Sequence, residues 1–220
     1  MSAPTTTVKP KQGFHFTFQN YIPTHQFAQK SDKCAFYVLH SLPPHVFVDP
    51  YELEQRLHDN VGAPFRVWGE TNLELPVSSV NEGSLVLLGP LKAEQHVELP
   101  FHARYVRPQK NATHATVVLQ NPSLLKVCSQ AHTEYWEQRD IKALFTPYDS
   151  PFDFETSKIT FDSFTSKAKL KVRIPAGNPQ HLAFVEPLTV IAILLATYYM
   201  ARAIWRAASQ FKPKPAIKED

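Results

Sequence analysis

The chain has 220 residues and a formal net charge of +3, and 43% of its residues are hydrophobic and 12% aromatic. This composition excludes a mainly disordered chain, and so small a net charge gives no reason to expect a nucleic-acid partner. Nineteen prolines against six glycines disfavour long helices and favour short strands separated by turns. We therefore expect one mainly β domain.

The N-terminal residues are polar and rich in proline, threonine and lysine. We expect residues 1–12 to be a disordered lead-in, and no apolar segment typical of a signal peptide is recognisable there. Phe14, Phe16 and Phe18 then alternate with polar residues, and this period of two predicts a half-buried strand.

A central strand and a short helix follow. Residues 34–40 form a continuous apolar run of β-forming residues, which is typical of a central strand. Asp49 and Pro50 give the strongest helix-start signal in the chain, because aspartate caps a helix and proline suits its first turn. Glu52 occupies the third helical position of a capping box. We predict a helix from Pro50 to about His58.

Strand-like segments then recur at roughly ten-residue spacing, with proline, glycine or asparagine between them, as in sandwiches and barrels. We predict strands at residues 71–77, 84–88, 95–106, 115–120, 124–130 and 169–174, and a surface loop within 131–157. Pro100 cannot donate to a ladder, so its strand is expected at a sheet edge or a bulge. The predicted fold class is mainly β, with a β-sandwich-like domain of residues 13–176 and a linker at 177–181.

Two of these segments alternate clearly between apolar and polar residues. In the segment at 95–106, one face is expected to hold Val97, Leu99, Phe101, Ala103 and Tyr105. In the last segment, lysine and arginine alternate with Leu170, Val172 and Ile174, which predicts a buried face and a solvated one.

Residues 182–201 are predicted to form one membrane-spanning helix. Their 20 residues cover about 30 Å, the thickness of a hydrocarbon core, and Glu186 is the only charged residue among them. Pro187 suits a first helical turn, which makes it an alternative start of the span. Tyrosine, tryptophan and arginine mark the far interface, at Tyr198, Tyr199, Arg202, Trp205 and Arg206. The alternative is a buried core helix of a soluble domain.

The cysteines and charges bear on topology. Cys34 and Cys128 are the only two cysteines, and they fit either one disulfide in an oxidising compartment or two free thiols. Asn111 begins an Asn-Ala-Thr sequon, a candidate glycosylation site that favours a lumenal domain. Four basic residues precede the span closely and five follow it, which leans weakly toward a cytosolic basic tail at residues 202–220.

The sequence shows no catalytic, cofactor-binding or metal-binding motif: HExxH, CxxC, GxSxG, P-loop and GxGxxG patterns are all missing. The ten histidines follow no ligand spacing, so we expect structural or surface roles for them. Glu186 is either an interfacial carboxylate or the partner of a cation on another transmembrane helix. We therefore predict a non-catalytic chain that contacts another membrane protein.

Three segments together resemble the PIG-X family. They are VDPYEL at 48–53, ELPFHARY at 98–105 with Pro108, and IPAG at 174–177 with His181, Val185 and Thr189. The resemblance implies an accessory subunit of glycosylphosphatidylinositol (GPI) mannosyltransferase I, which supports transfer of the first mannose from dolichol-phosphate-mannose to the anchor precursor. It implies no cofactor of its own and a polytopic catalytic partner.

The same resemblance implies a single-pass protein of the endoplasmic reticulum membrane, with a lumenal β-rich domain and a cytosolic tail. His102 and Arg104 are then candidates for contact with the partner, and the alternative is a hydrogen-bonding role within the fold. The competing interpretation of the whole chain is a tail-anchored cytosolic binding module or trafficking adaptor.

Overall fold

A computed structural model describes residues 3–28, 34–91, 96–110, 112–129, 143–153 and 157–210. The chain divides into two units: one of Met1–Pro108 and Ala112–Gly177, called here the β unit, and a second that contains the chain from Asn178 onward. The described residues of the β unit are mostly sheet, and those of the second unit form mainly a long apolar helix. The predicted mainly β fold with a C-terminal helix is confirmed.

The described part of the β unit contains eleven strands and two α-helices. The strands are β1 (Thr5–Lys9), β2 (His15–Tyr21), β3 (Cys34–Leu42), β4 (Val46–Phe47), β5 (Phe65–Trp68), β6 (Ser84–Leu88), β7 (His96–Ala103), β8 (His114–Val118), β9 (Ser123–Ser129), β10 (Ser157–Ser163) and β11 (Lys171–Pro175). The helices are α1 (Thr24–Ala28) and α2 (Pro50–His58). Their sheets have the orders β1-β2-β7-β4, β10-β9-β3-β6-β5 and β11-β8.

One hydrophobic core joins the four-stranded and five-stranded sheets. Phe18 of β2 and Leu99 of β7 belong to the same buried cluster as Val38 of β3 and Val86 of β6. Alternate side chains of each strand point to one face, so both sheets can bury a face in a sandwich-like arrangement. Each such fully buried side chain stabilises the fold by about 2 kcal/mol.

The alternation predicted for β7 is confirmed along the strand. Val97, Leu99, Phe101 and Ala103 are all buried, whereas Tyr105 is 74% exposed. Tyr105 departs from the prediction because β7 ends at Ala103, and the period of two no longer applies beyond it. Buried Leu170, Val172 and Ile174 likewise confirm the inward face predicted for the last strand.

The position expected for Pro100 is found. Thr17 of β2 lies opposite Pro100, while on the other side of β7 the short strand β4 pairs only with Ala103 and His102. Among the described residues, no strand therefore requires the N–H that Pro100 lacks, and this part of β7 is an edge.

The N-terminal lead-in was predicted to be disordered, and this is wrong. β1 pairs antiparallel with β2, Val8 is fully buried, and buried Thr6 donates a hydrogen bond to Asn20 Oδ1 at 2.9 Å. Thr6 and Val8 supply the inward positions of a strand, and Pro4 and Pro10 flank the strand without interrupting it.

The N-terminal segment also bonds to the end of the β unit. Thr6 N–H donates to the carbonyl of Thr165 at 2.9 Å, and Thr165 N–H donates to the carbonyl of Pro4 at 2.8 Å. Further along, Arg173 in β11 accepts a bond from Gly13 N–H at 3.0 Å. The first and last segments of the β unit are therefore neighbours.

The strand predicted at residues 71–77 is also wrong. That segment is irregular and leads into a 3-10 turn at Val77–Ser79. Its backbone carbonyls bond to the buried side chain of Arg104, so they are not available to a sheet ladder.

Besides β1, the strands β4, β5 and β10 and a small core were not predicted. β5 and β10 pair with β6 and β9, although β10 has mostly polar residues and buries Ile159. Phe145, just before the predicted surface loop, is fully buried against the outer face of the five-stranded sheet with Leu125 and Ile159. The loop predicted at 146–156 is confirmed over residues 146–153, which form turns and bends with exposed or half-buried side chains, and residues 130–142 and 154–156 lie outside the described part.

Helix α2 confirms its sequence signals. The carboxylate of Asp49 accepts a hydrogen bond from Tyr51 N–H at 2.9 Å, and Pro50 occupies the first turn. Glu52 acts differently from a capping-box residue, because its carboxylate lies 2.7 Å from His102 Nε2.

The C-terminal helix, α3, extends from Leu182 to Gln210. It begins at Leu182, the first residue of the predicted span, and Pro187, the alternative start, lies inside it. The start signal lies earlier, where Asn178 accepts a bond from Gln180 N–H at 3.0 Å and Pro179 opens a 3-10 turn that continues into α3. Part of the predicted linker at 177–181 is therefore helical.

Candidate functional site

α3 is long and apolar enough to span a membrane. The helical stretch Pro179–Gln210 has 32 residues and a mean hydropathy of 1.8 in its most apolar window, none of which is buried. The 29 residues of α3 extend for about 44 Å, more than the thickness of a hydrocarbon core. By length and composition, this is the candidate span in the part of the chain that the structure describes.

The exposed surface of α3 is inconsistent with a core helix. Apolar residues on every side of the helix are each more than half exposed, among them Leu188, Ile191, Leu194, Leu195 and Ile204. Exposing such surface to water costs about 25 cal/mol per Å². The core helix of a soluble domain is mostly buried, so this exposure favours the membrane span over the buried core-helix alternative.

Glu186 lies on the second turn of α3, next to Pro187. Proline cannot donate to the carbonyl four residues earlier, so the carbonyl of Ala183 lacks its usual helical partner. Thr189 donates from its hydroxyl to the carbonyl of Val185 at 2.7 Å. Whether Glu186 pairs with a partner's cation remains a prediction.

His102 connects three elements of the β unit. Its Nε2 lies 2.7 Å from the carboxylate of Glu52 on α2, and its Nδ1 lies 2.8 Å from Nδ1 of His15 on β2. Its ring also stacks on Phe47 of β4, with centroids 5.4 Å apart. Two neutral imidazoles that face each other through Nδ1 require one to donate and the other to accept. The arrangement is a directional chain of hydrogen bonds that fixes the position of α2 against the sheet.

Arg104 lies next to this chain and is buried, with 2% of its surface exposed. Its guanidinium donates to the carbonyls of Asn72 at 2.6 Å, Leu75 at 2.9 Å and Glu70 at 3.2 Å, and it lies 4.7 Å from the centre of the Phe47 ring. Burial lowers the pKa of Arg104, and the charge of Glu70 acts in the opposite direction.

These contacts decide between the two roles considered for Arg104. Its side chain holds the 70–75 segment in place, so it is a structural residue and is not presented to a partner. His102 also bonds within the fold, and 19% of its side chain is exposed. Sequence reasoning could not find the acceptors of Arg104, because they are backbone carbonyls about thirty residues earlier.

A second buried polar group was not anticipated from the sequence. Asn20 Nδ2 donates to the carbonyl of Val97 at 3.1 Å and lies 3.2 Å from Nε2 of His40, while its Oδ1 accepts the bond from Thr6. Burial lowers the pKa of His40 to about 3, so this imidazole is neutral at physiological pH. The structural role expected for the histidines is found at His40.

The two cysteines lie opposite each other on β3 and β9. Their Cα atoms are 4.0 Å apart and their sulfurs are bonded in a disulfide. The candidate glycosylation residue, Asn111, lies outside the described residues. Within the described ranges, no group of three or more histidine, cysteine, aspartate or glutamate side chains is placed to hold a metal ion.

Comparison with known proteins gives one consistent family. The model of the family described as PIG-X / PBN1 matches residues 11–205. A Mus musculus protein named "GPI alpha-1,4-mannosyltransferase I, stabilizing subunit" is 28% identical over 207 residues, covering 89% of this chain and 78% of that protein. The Homo sapiens protein of the same name is 24% identical over 207 residues, covering 89% and 77%.

A fungal protein shows the same similarity over a smaller part of its length. Schizosaccharomyces pombe "Protein pbn1" is 26% identical over 186 residues, which cover 80% of this chain and 52% of the fungal protein. The matched region of the family model, residues 11–205, contains both the β unit from β2 onward and most of α3.

Proposed function

This chain belongs to the PIG-X / PBN1 family, and from that premise we propose that it is the non-catalytic stabilising subunit of GPI mannosyltransferase I. In this role it supports transfer of the first mannose from dolichol-phosphate-mannose to the GPI-anchor precursor in the endoplasmic reticulum. Its partner is the polytopic catalytic subunit, which carries the chemistry.

The family match across both units is the observation that carries this proposal. The matched residues 11–205 include a sheet domain and a membrane-span candidate, and the mouse and human relatives are named as stabilising subunits. A protein that binds only the folded form of its partner stabilises that form, by about 2.7 kcal/mol when its free concentration is 100 times Kd. Such an effect requires contact surface and no catalytic group.

We place the β unit in the lumen and the tail at 202–220 in the cytosol. The disulfide between Cys34 and Cys128 supports an oxidising compartment, and the Asn111 sequon suits a compartment in which glycans are added. In this arrangement α3 crosses the membrane once and contacts transmembrane helices of the catalytic subunit.

Coexpression tests the partnership. In cells that lack their own copy of this subunit, the full chain should copurify with the catalytic subunit of GPI mannosyltransferase I and restore GPI-anchored proteins to the cell surface. The chain purified alone should transfer no mannose. Restoration without copurification, or activity of the isolated chain, would contradict the proposal.

Topology is tested separately, because a cytosolic binding module is the competing interpretation. In microsomes the β unit should resist added protease. The wild-type chain should carry a glycan that endoglycosidase removes, and Asn111→Gln should lack it. Digestion of the β unit in intact microsomes would support the cytosolic module instead.

Glu186 provides a finer test of the interface in the membrane. If its carboxylate pairs with a cation on a partner helix, Glu186→Gln should reduce copurification several-fold, because a desolvated pair loses a charge. Glu54→Gln, on exposed α2, is the matched control. Unchanged copurification of Glu186→Gln would assign that carboxylate to the membrane interface alone.

A further inference from the structure

The C-terminal part of α3 carries a concave groove of about 530 Å³. It is lined by Tyr198, Tyr199, Arg202, Ala203, Arg206, Ala207 and Gln210. Positions three and four residues apart share one face of a helix, so these side chains form a single surface. The two alanines leave space between the longer tyrosine and arginine side chains.

The groove lies at phosphate depth if α3 spans a bilayer from its first residue. Leu182 and Arg202 are 20 positions apart in the chain, which corresponds to about 30 Å along a helix and matches the hydrocarbon thickness. Tyrosine and arginine are both favoured at this level, where a ring or an aliphatic stem stays apolar and its polar end reaches the headgroups.

The charge of this region has one sign. Arg202 and Arg206 are both cationic, and the sequence from Pro187 to Lys218 contains no aspartate or glutamate. Arg104 in the β unit is in contrast held by three carbonyls. An anion is the ligand that complements the groove.

We propose that this groove binds the phosphate of an anionic glycerophospholipid. The guanidinium groups of Arg202 and Arg206 donate to the phosphate oxygens, and the hydroxyls of Tyr198 and Tyr199 lie at the same level. The space over the alanines takes the glycerol and the first acyl methylenes, which is why a lipid fits better than a free phosphate ion. A bound lipid would hold α3 at one depth and one rotation, independently of any catalytic partner.

Native mass spectrometry of the full chain tests this site. The chain is released from detergent micelles that contain either palmitoyl-oleoyl phosphatidylserine or palmitoyl-oleoyl phosphatidylcholine. Phosphatidylserine should be retained preferentially, and Arg202→Gln and Arg206→Gln should each weaken it about fivefold, the effect of one basic residue at a membrane surface. Equal retention of both lipids by the wild-type chain would overturn the proposal.

Two further variants separate the groove from diffuse charge. Lys212→Gln with Lys214→Gln removes two positive charges from the sequence just after α3 and should leave phosphatidylserine retention within twofold. Ala203→Leu keeps every charge but fills the groove, and it should weaken retention at least fivefold. The proposal fails if the lysine variant loses as much phosphatidylserine retention as the arginine variants do. It also fails if Ala203→Leu retains phosphatidylserine as well as the wild-type chain does. Displacement of the lipid by an equal concentration of inorganic phosphate would also overturn it.

Discussion

The two units of this chain treat their cations in opposite ways. In the β unit Arg104 is buried, and its two terminal nitrogens donate to three backbone carbonyls of its own chain. In α3, Arg202 and Arg206 line an open groove beside exposed tyrosines. The β unit thus holds its buried arginine with its own backbone, while α3 presents apolar and cationic surface to its surroundings. Changes in the β unit should therefore affect folding, and changes in α3 should affect binding.

The largest expected effect on stability comes from the disulfide. Replacing Cys34 and Cys128 with serine removes a crosslink between residues 94 positions apart, and a loop of that length corresponds to a loss of about 4 kcal/mol. Urea unfolding of the full chain in detergent, followed by tryptophan fluorescence, measures it. An unchanged unfolding midpoint would show that the disulfide does not constrain the β unit.

The second largest effect on stability is expected from Arg104→Ala. It should lower the free energy of unfolding by about 3 kcal/mol, because the carbonyls of residues 70, 72 and 75 lose a charged donor. Arg107→Ala is the matched control, since Arg107 is exposed and its loss should cost under about 0.5 kcal/mol. The same urea titration measures both. If the two variants unfold alike, the carbonyl contacts of Arg104 do not stabilise the fold.

Burial of His40 should have a smaller effect on the free energy of unfolding, and this effect depends on pH. Its pKa is lowered from 6.5 to about 3 in the folded protein, so below pH 6.5 the unfolded chain binds a proton that the folded chain refuses. Stability is full above pH 6.5 and falls as pH decreases toward 3, by about 2 kcal/mol at pH 5. Comparing His40→Gln with wild type at pH 7.5 and pH 5 isolates this contribution. A wild-type loss no greater than that of the variant would exclude His40 as its source.

The smallest effect on folding is expected from α3. Exchange of residues 182–210 for an unrelated span of equal length should change the free energy of unfolding of the β unit by less than about 0.5 kcal/mol, because α3 contributes no residue to the buried clusters of that unit. The same exchange should reduce the amount of catalytic subunit recovered from cells. Full recovery would make α3 only an anchor, and a destabilised β unit would show that the two units depend on each other.

The elements that could be predicted are those whose own residues form a recognisable pattern. Alternation identified β7, the apolar run identified β3 as a central strand, and Asp49 with Pro50 located α2. β1, β5 and β10 were not predicted, because a polar or short strand is stabilised mainly by hydrogen bonds to a neighbour that sequence periodicity does not show. The start of α3 at Leu182 was predicted, but the 3-10 turn before it was not, since Asn178 and Pro179 were interpreted as part of a turn-rich linker.

The candidate site was predictable only in part. Composition and length identified α3 as a membrane span candidate, and the segments at 48–53 and 98–105 carried the family resemblance. The roles of His102 and Arg104 depended on contacts with Glu52, His15 and the 70–75 carbonyls, which are far away in sequence. Asn20 lies in phase with Phe16 and Phe18, so the alternation places it on the buried face, but its partners Thr6, His40 and Val97 could not be found because they are far away in sequence.

The bonds that join residues 4–13 to residues 165–173 also have a consequence for synthesis in the cell. β1 precedes the other strands of the β unit in the chain, yet Thr165, to which Thr6 bonds, and Arg173, to which Lys11 and Gly13 bond, are synthesised just before α3. Pairing between such distant segments is slow, because a long loop must close first. The β unit therefore forms this seam only when nearly all of its chain has been synthesised, and a chain truncated before residue 165 leaves β1 without it.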